Sequence, residues 1–238
     1  MTAKATFHSR SDLTPTVDSL FVGRCSGRFS LSAETEKLFR SLLKELRPLF
    51  KENDFRASGQ NFILESPECW VVVNFQKSRW AGRDETTFYV NVAASSKRWL
   101  GLYGKPADKV PSFSGCDWRW RVEHFGPDKN IQQWNLRDED SLKQTLAYLQ
   151  SLFRDFVFPA TRTMTTEASL IKHSGGFEYP QLKTRTVIYA ATNQVSDLRQ
   201  AVATLMEKFG SGVGAEGTRD HLQLLRSTFP GAMRGIES

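Results

Sequence analysis

The chain of 238 residues is 39% hydrophobic and 12% aromatic, enough apolar material for a packed core, which excludes an intrinsically disordered protein. Its formal charge of +6 favours acidic partners, nucleic acid included, but the basic residues form no long run and therefore no basic tail. Three cysteines far apart (Cys25, Cys69, Cys116), no apolar core at the N-terminus and no apolar stretch near the roughly 20 residues of a membrane span lead us to expect a cytoplasmic protein.

Residues 1–31 are rich in Ser, Thr, Arg and Gly, and their apolar positions follow no period. This N-terminal arm is either partly disordered or wrapped over the rest. Ser32 is a suitable N-cap, and Glu34 and Glu36 follow it in a first turn where acidic residues favour the helix dipole. Leu38, Phe39, Leu42, Leu43, Leu46, Leu49 and Phe50 then recur at helical spacing, so an amphipathic helix is predicted that Pro48 kinks or ends near Leu46 and Asn53-Asp54 closes.

Three apolar runs follow at 61–64, 70–76 and 86–92, rich in β-branched and aromatic residues and separated by turn residues. That pattern predicts an antiparallel meander around which the chain is organised. In the second run Trp70, Val72, Asn74 and Gln76 share one side, and Val71, Val73 and Phe75 the other. In the third, Phe88, Val90, Val92 and Ala94 oppose Tyr89, Asn91 and Ala93. Residues 97–116 read as a loop. At 117–125 the alternation predicts a strand with Trp118, Trp120, Val122 and His124 on a core side and Arg119, Arg121 and Glu123 on the other.

Residues 126–137 read as a loop carrying Trp134. Asp138 is placed as the N-cap of a second amphipathic helix bearing Leu142, Leu146, Leu149, Phe153 and Phe156, stopped by Pro159. A short helix is expected at 166–173 and a strand at 184–191. A helix capped by Ser196 is expected to end at Gly210, with a final helical piece at 219–228. The fold class that follows is α+β: an antiparallel sheet of about four to six strands packed by the helices at 33–52 and 139–158. The expected organisation is the arm 1–31, a core domain 32–176 and a mostly helical C-terminal extension 177–238.

The stretches NDFRASGQNFIL, VVVNFQKS, FYVNVAAS, DWRWRVEHF with the tryptophan of QQWNL, and FRDFVFPA together resemble the bacterial domain-of-unknown-function 4304 family over about residues 35–175. The resemblance implies a bacterial α+β domain and supplies no catalytic residues. One departure stands out: Asp54 occupies the position where the family pattern leads us to expect glycine.

No motif for chemistry survives its context. Residues 212–217 match G-x-G-x-x-G but follow a predicted helix instead of a strand, so no nucleotide is expected to bind there. His8, His124, His173 and His221 are scattered, and with no CxxC or HxxxH no metal site is expected. Phe75 stands where a metal-dependent nuclease would need a carboxylate two residues before Lys77. We therefore assign no catalytic residue, cofactor or metal ligand.

What remains is a polar and aromatic set: Gln76, Lys77, Arg79, Trp80, Arg83, Lys97, Arg98, Trp99, Arg119 and Arg121. Aromatics among cations can stack the bases of a single strand. They can equally anchor a protein interface. The third reading is that the tryptophans fold back onto the core beneath snorkelling arginines. The leading expectation is a non-catalytic binding module engaging another protein, with toxin neutralisation as one role that a small cytosolic domain would suit. Its rivals are a single-stranded nucleic-acid binder and an enzyme whose site the sequence does not reveal.

Overall fold

The computed structural model describes residues 33–79, 84–131, 133–175 and 177–237. The arm 1–31, the N-cap Ser32, and Trp80 and Arg83 of the polar set lie outside the described residues. The predicted meander is the centre of an antiparallel sheet that has six strands among the described residues. In sequence these are β1 (Arg56–Ser58), β2 (Asn61–Glu65), β3 (Cys69–Lys77), β4 (Thr86–Ser96), β5 (Trp118–Arg121) and β6 (Trp134–Leu136). Their order is β1-β2-β3-β4-β5, and β6 also pairs with β4. The eleven residues of β4 make this sharing possible: β5 pairs with its second half (Asn91 opposite Arg121, Ala94 opposite Trp118) and β6 with its start (Phe88 opposite Trp134).

One face of the sheet carries Val71, Val73, Phe75, Phe88, Val90, Val92, Trp118 and Trp120, all buried. Two helices cover it: α1 (Ala33–Lys51) and α3 (Glu139–Leu152). The whole predicted stripe of α1 is buried, and Phe50 stacks on Phe62 with ring centroids 3.8 Å apart. Of the two outcomes expected at Pro48, a kink or an end near Leu46, the helix does not end there but runs on to Lys51. An interior proline costs about 3 kcal/mol, but burying Leu49 and Phe50 just beyond it returns about 1.5–3 kcal/mol each. The helix closes at Asp54, whose φ of 67° is left-handed, the backbone conformation that favours the glycine expected there.

Asp138 caps α3 as predicted: its Oδ1 accepts the Ser141 N–H at 2.7 Å and its own N–H donates to Ser141 Oγ at 3.0 Å. The helical path then continues through a π-helical turn, Phe153–Val157, into α4 (Phe158–Arg162). Pro159 therefore does not stop it. The wider turn accommodates a ring that has no N–H to donate backwards. The added residue also shifts the apolar face, leaving Phe156 38% exposed while Val157 and Phe158 are buried. Trp134, expected in a loop, is in β6, and the short helix begun by Thr166 is α5 (Glu167–Leu170).

The strand after Cys116 is shorter than its alternation suggests. It ends at Arg121 and passes into a 3₁₀ turn at Val122–His124, so His124 is exposed instead of facing the core. The presumed loop at 97–116 begins with a helix, α2 (Lys97–Leu102), capped by Ser96, whose Oγ accepts the Trp99 N–H.

The C-terminal region is α6 (Glu178–Ala191), α7 (Val195–Phe209), α8 (Ala215–Thr228) and α9 (Pro230–Glu237). The strand expected at 184–191 is part of α6. Its β-branched residues favour a strand only weakly, and Leu182, Val187, Ile188 and Ala190 are all buried at helical spacing. The threonine hydroxyls donate back to carbonyls of the preceding turn, Thr184 to Pro180 and Thr186 to Lys183. Ser196 lies within the first turn of α7, not at its cap, and α9 has no counterpart among the predicted elements. These helices and α2 cover part of the second sheet face, burying Ile63, Trp70, Trp99 and Leu100 against Val187, Leu198, Leu222, Leu225 and Met233.

Candidate binding surface

Alternation in four neighbouring strands, β2 to β5, brings polar side chains together on the second face. Asn74 lies opposite Asn61 and Asn91, Gln76 opposite Tyr89, and Asn91 opposite Arg121. Their amides form a continuous ladder. Asn74 Nδ2 donates to Asn61 Oδ1 at 2.7 Å, and Asn91 Nδ2 donates to Asn74 Oδ1 at 3.1 Å and Gln76 Oε1 at 3.2 Å. Arg121 Nη1 completes it by donating to Asn91 Oδ1 at 2.7 Å. Asn91 is buried, so its bonds to Asn74, Gln76 and Arg121 satisfy an amide cut off from water. The ladder thereby holds Arg121 in place, its guanidinium 4.3 Å from the centre of the Tyr89 ring.

Two residues back on β5, Arg119 makes a second such pair, 4.4 Å from the centre of the Phe177 ring. Phe177 is 63% exposed, among the largest apolar exposures in the described residues. Arg119 Nε is shielded from solvent and has no hydrogen-bond partner there, while Nη1 reaches Ser114 O at 3.4 Å. Beside this pair runs a groove of about 400 Å³ lined by Arg119, Trp120, Arg121, Glu123, His124, Lys129 and Gly175. Its floor depends on Gly175, at φ 133°: a Cβ there would lie 1.9 Å from Trp120 Nε1. That nitrogen donates to Ser174 O at 2.9 Å. Burial raises the pKa of Glu123, and Lys129 Nζ donates to His124 O at 2.6 Å.

The predicted polar set does not form one surface. Gln76, Arg119 and Arg121 share the second face. Lys77 is on the opposite face, paired with Glu36 at 2.7 Å and close to Phe39. Arg79 is exposed beyond the end of β3. Lys97 bonds to Glu65 at 2.8 Å above the Trp70 ring, and Arg98 pairs with the buried Glu167 at 2.9 Å. Trp99 is no exposed anchor. It sits in α2, 6% exposed, against Tyr103 and near His221. The sequence reading missed Asn61, Asn74, Tyr89, Asn91, Lys129 and Phe177. The side shared by Asn74 and Gln76 and that shared by Tyr89 and Asn91 are readable from alternation, but their apposition depends on strand register.

Two polar clusters lie under the C-terminal helices. Asp117 is buried and accepts Ser95 Oγ–H at 2.7 Å, and burial pushes its carboxyl up to about 7. His221 is held between Tyr103 OH at 2.5 Å and Thr186 Oγ1 at 2.6 Å, and burial lowers its pKa to about 3, so the ring is neutral. Both groups have hydrogen-bond partners. The glycine-rich segment forms a 3₁₀ turn, Gly212–Gly214, between α7 and α8, so a helix and not a strand precedes it, as expected. Among the described residues, no group of three or more His, Cys, Asp or Glu side chains could hold a metal ion, and no helix is long and apolar enough to cross a membrane.

No curated protein and no solved structure matches this chain. A family model described as a domain of unknown function matches residues 46–163, from the second half of α1 through the sheet to the end of α4. The family resemblance of the strand motifs is thus confirmed, and the chain carries a member of the domain-of-unknown-function 4304 family.

Proposed function

We propose that this chain is a non-catalytic binding module that engages another protein through the open part of its second sheet face. The observation that carries this reading is the pair of guanidinium–ring contacts side by side on β5, Arg121 on Tyr89 and Arg119 on the exposed Phe177. Arginine and large aromatics are the residues that most often dominate binding energy at protein interfaces. The amide ladder pre-sets Arg121, which lowers the ordering cost of association.

The charge arrangement favours protein over nucleic acid. Lys77, Lys97 and Arg98 are each neutralised by a carboxylate, so these three cations of the predicted set make a poor phosphate track. Buried free thiols at Cys69 and Cys116 support placing the module in a reducing compartment such as a bacterial cytoplasm.

The test is a random-peptide display selection on the full chain, with Phe177→Ala as the comparison. Enriched peptides are expected to lose about tenfold or more in affinity for the variant. Peptides that bind both proteins equally would refute the assignment of this face. Binding of single-stranded DNA with a log–log salt slope steeper than about −2 would favour the nucleic-acid alternative.

A further inference from the structure

We infer that the groove beside β5 seats an acidic segment of a partner protein that also carries an apolar side chain; this rests on the protein-binding reading above. The argument begins with charge. Arg119, Arg121 and Lys129 line the groove, and none of them forms an ion pair among the described residues. Lys77, Lys97, Arg98, Arg137 and Lys208 all do. Three cations outside any ion pair thus line one groove. Glu123 is the single carboxylate in the lining, against three cations.

Geometry narrows the occupant. Both guanidiniums lie against aromatic rings, Tyr89 and Phe177, an arrangement that fixes the fork while its N–H edges can still meet carboxylates. Arg119 Nη1 is tied only by a long bond, 3.4 Å, to Ser114 O. Phe177, mostly exposed and touching Arg119, offers apolar contact at the same place. A volume of about 400 Å³ is at the lower end of the range of ligand pockets and suits a few residues, not an extended phosphate backbone. Three cations confined to it match two or three carboxylates, and such a patch also steers encounter with an acidic partner.

Fluorescence anisotropy on the full chain tests this with three probes: a short labelled peptide alternating glutamate and leucine, its counterpart with glutamine for glutamate, and oligothymidylate. The glutamate peptide is expected to bind at least about tenfold more tightly than the glutamine peptide. Arg121→Gln and Lys129→Glu should each weaken it several-fold. Lys129 is exposed, so its variant tests the charge without disturbing the amide ladder, and an unchanged urea midpoint confirms that the fold is kept.

Equal affinity for the two peptides, or no binding of the glutamate peptide, overturns the acidic partner. The broader reading then survives only if the display selection still enriches peptides that need Phe177. Oligothymidylate bound more tightly than either peptide, and lost in Arg121→Gln, overturns both. Dimerisation of the chain that Phe177→Ala abolishes would make the occupant a second copy and also overturn the inference.

Discussion

Replacing Trp99 with alanine separates the two roles that this residue could play. On the folded chain it is 6% exposed, its ring centroid 4.1 Å from that of Tyr103 and 6.0 Å from that of His221. A tryptophan buries on the order of 150–250 Å². At about 25 cal/mol per Å², burying about 200 Å² stabilises the fold by about 5 kcal/mol, part of which alanine retains. Measured tryptophan-to-alanine losses in cores are about 3–5 kcal/mol, and we expect Trp99→Ala to fall in that range. This is a large share of the roughly 5–15 kcal/mol of a whole domain. In urea unfolding followed by circular dichroism, a loss of about 4 kcal/mol at a slope of about 2 kcal/mol/M lowers the midpoint by about 2 M. Trp99→Phe, which keeps a ring against Tyr103, should lose less. A stacking residue for single-stranded nucleic acid behaves otherwise: the alanine variant would keep its stability and lose about 1–3 kcal/mol of binding. A stability loss below about 1 kcal/mol would refute the packing role of Trp99 under the C-terminal helices.

Asp117 supplies a pH test. Its folded pKa of about 7 lies above the ordinary carboxylate value because burial disfavours the charge, so the folded state holds a proton that the unfolded state has released. Its stabilising contribution is complete at low pH and is lost as pH rises from about 4 through about 7, by up to about 4 kcal/mol in total. Urea midpoints should therefore fall between pH 5 and 8, and Asp117→Asn, which keeps an acceptor for Ser95, should flatten the profile; a flat profile in the unaltered chain would refute the assignment. At Asp54, substitution by glycine should raise stability by about 0.5–1 kcal/mol by relieving a left-handed residue. The exposed Arg162–Asp54 pair at 3.6 Å contributes little against that gain, and a lower melting temperature would refute the strain argument.

Much of the covered sheet face was legible without coordinates. The alternation in 70–76 and 86–92 assigns Val71, Val73, Phe75, Phe88, Val90 and Val92 to faces, and all six are buried. The spacing of Leu38 to Phe50 identifies the helix that covers them, and Asp138 marks where the next begins. The misassignments share a cause. Pro159 and the β-branched run at 184–191 carry local preferences of a few kcal/mol at most, and packing of distant segments outweighs them. Trp99 misled in the same way, because an arginine beside a tryptophan looks alike in an exposed loop and in an amphipathic helix.

The candidate surface divides along this line too. Residue order alone put Arg119 and Arg121 on one side of a strand and Gln76 on the non-Phe75 side of another, because side-chain direction in a strand repeats every two residues whatever lies beyond it. Nothing local could place Asn91 between Asn74 and Arg121, because register is set by pairing between segments distant in sequence. The same holds for Phe177 over Arg119, and for the helices from Glu178 onward that bury Trp70 while the Asn74–Arg121 ladder stays outside their hydrophobic contact. Sequence thus determined which residues point which way. Tertiary structure decided which of them meet and which remain open to a partner, because those outcomes depend on contacts between segments that no local period encodes.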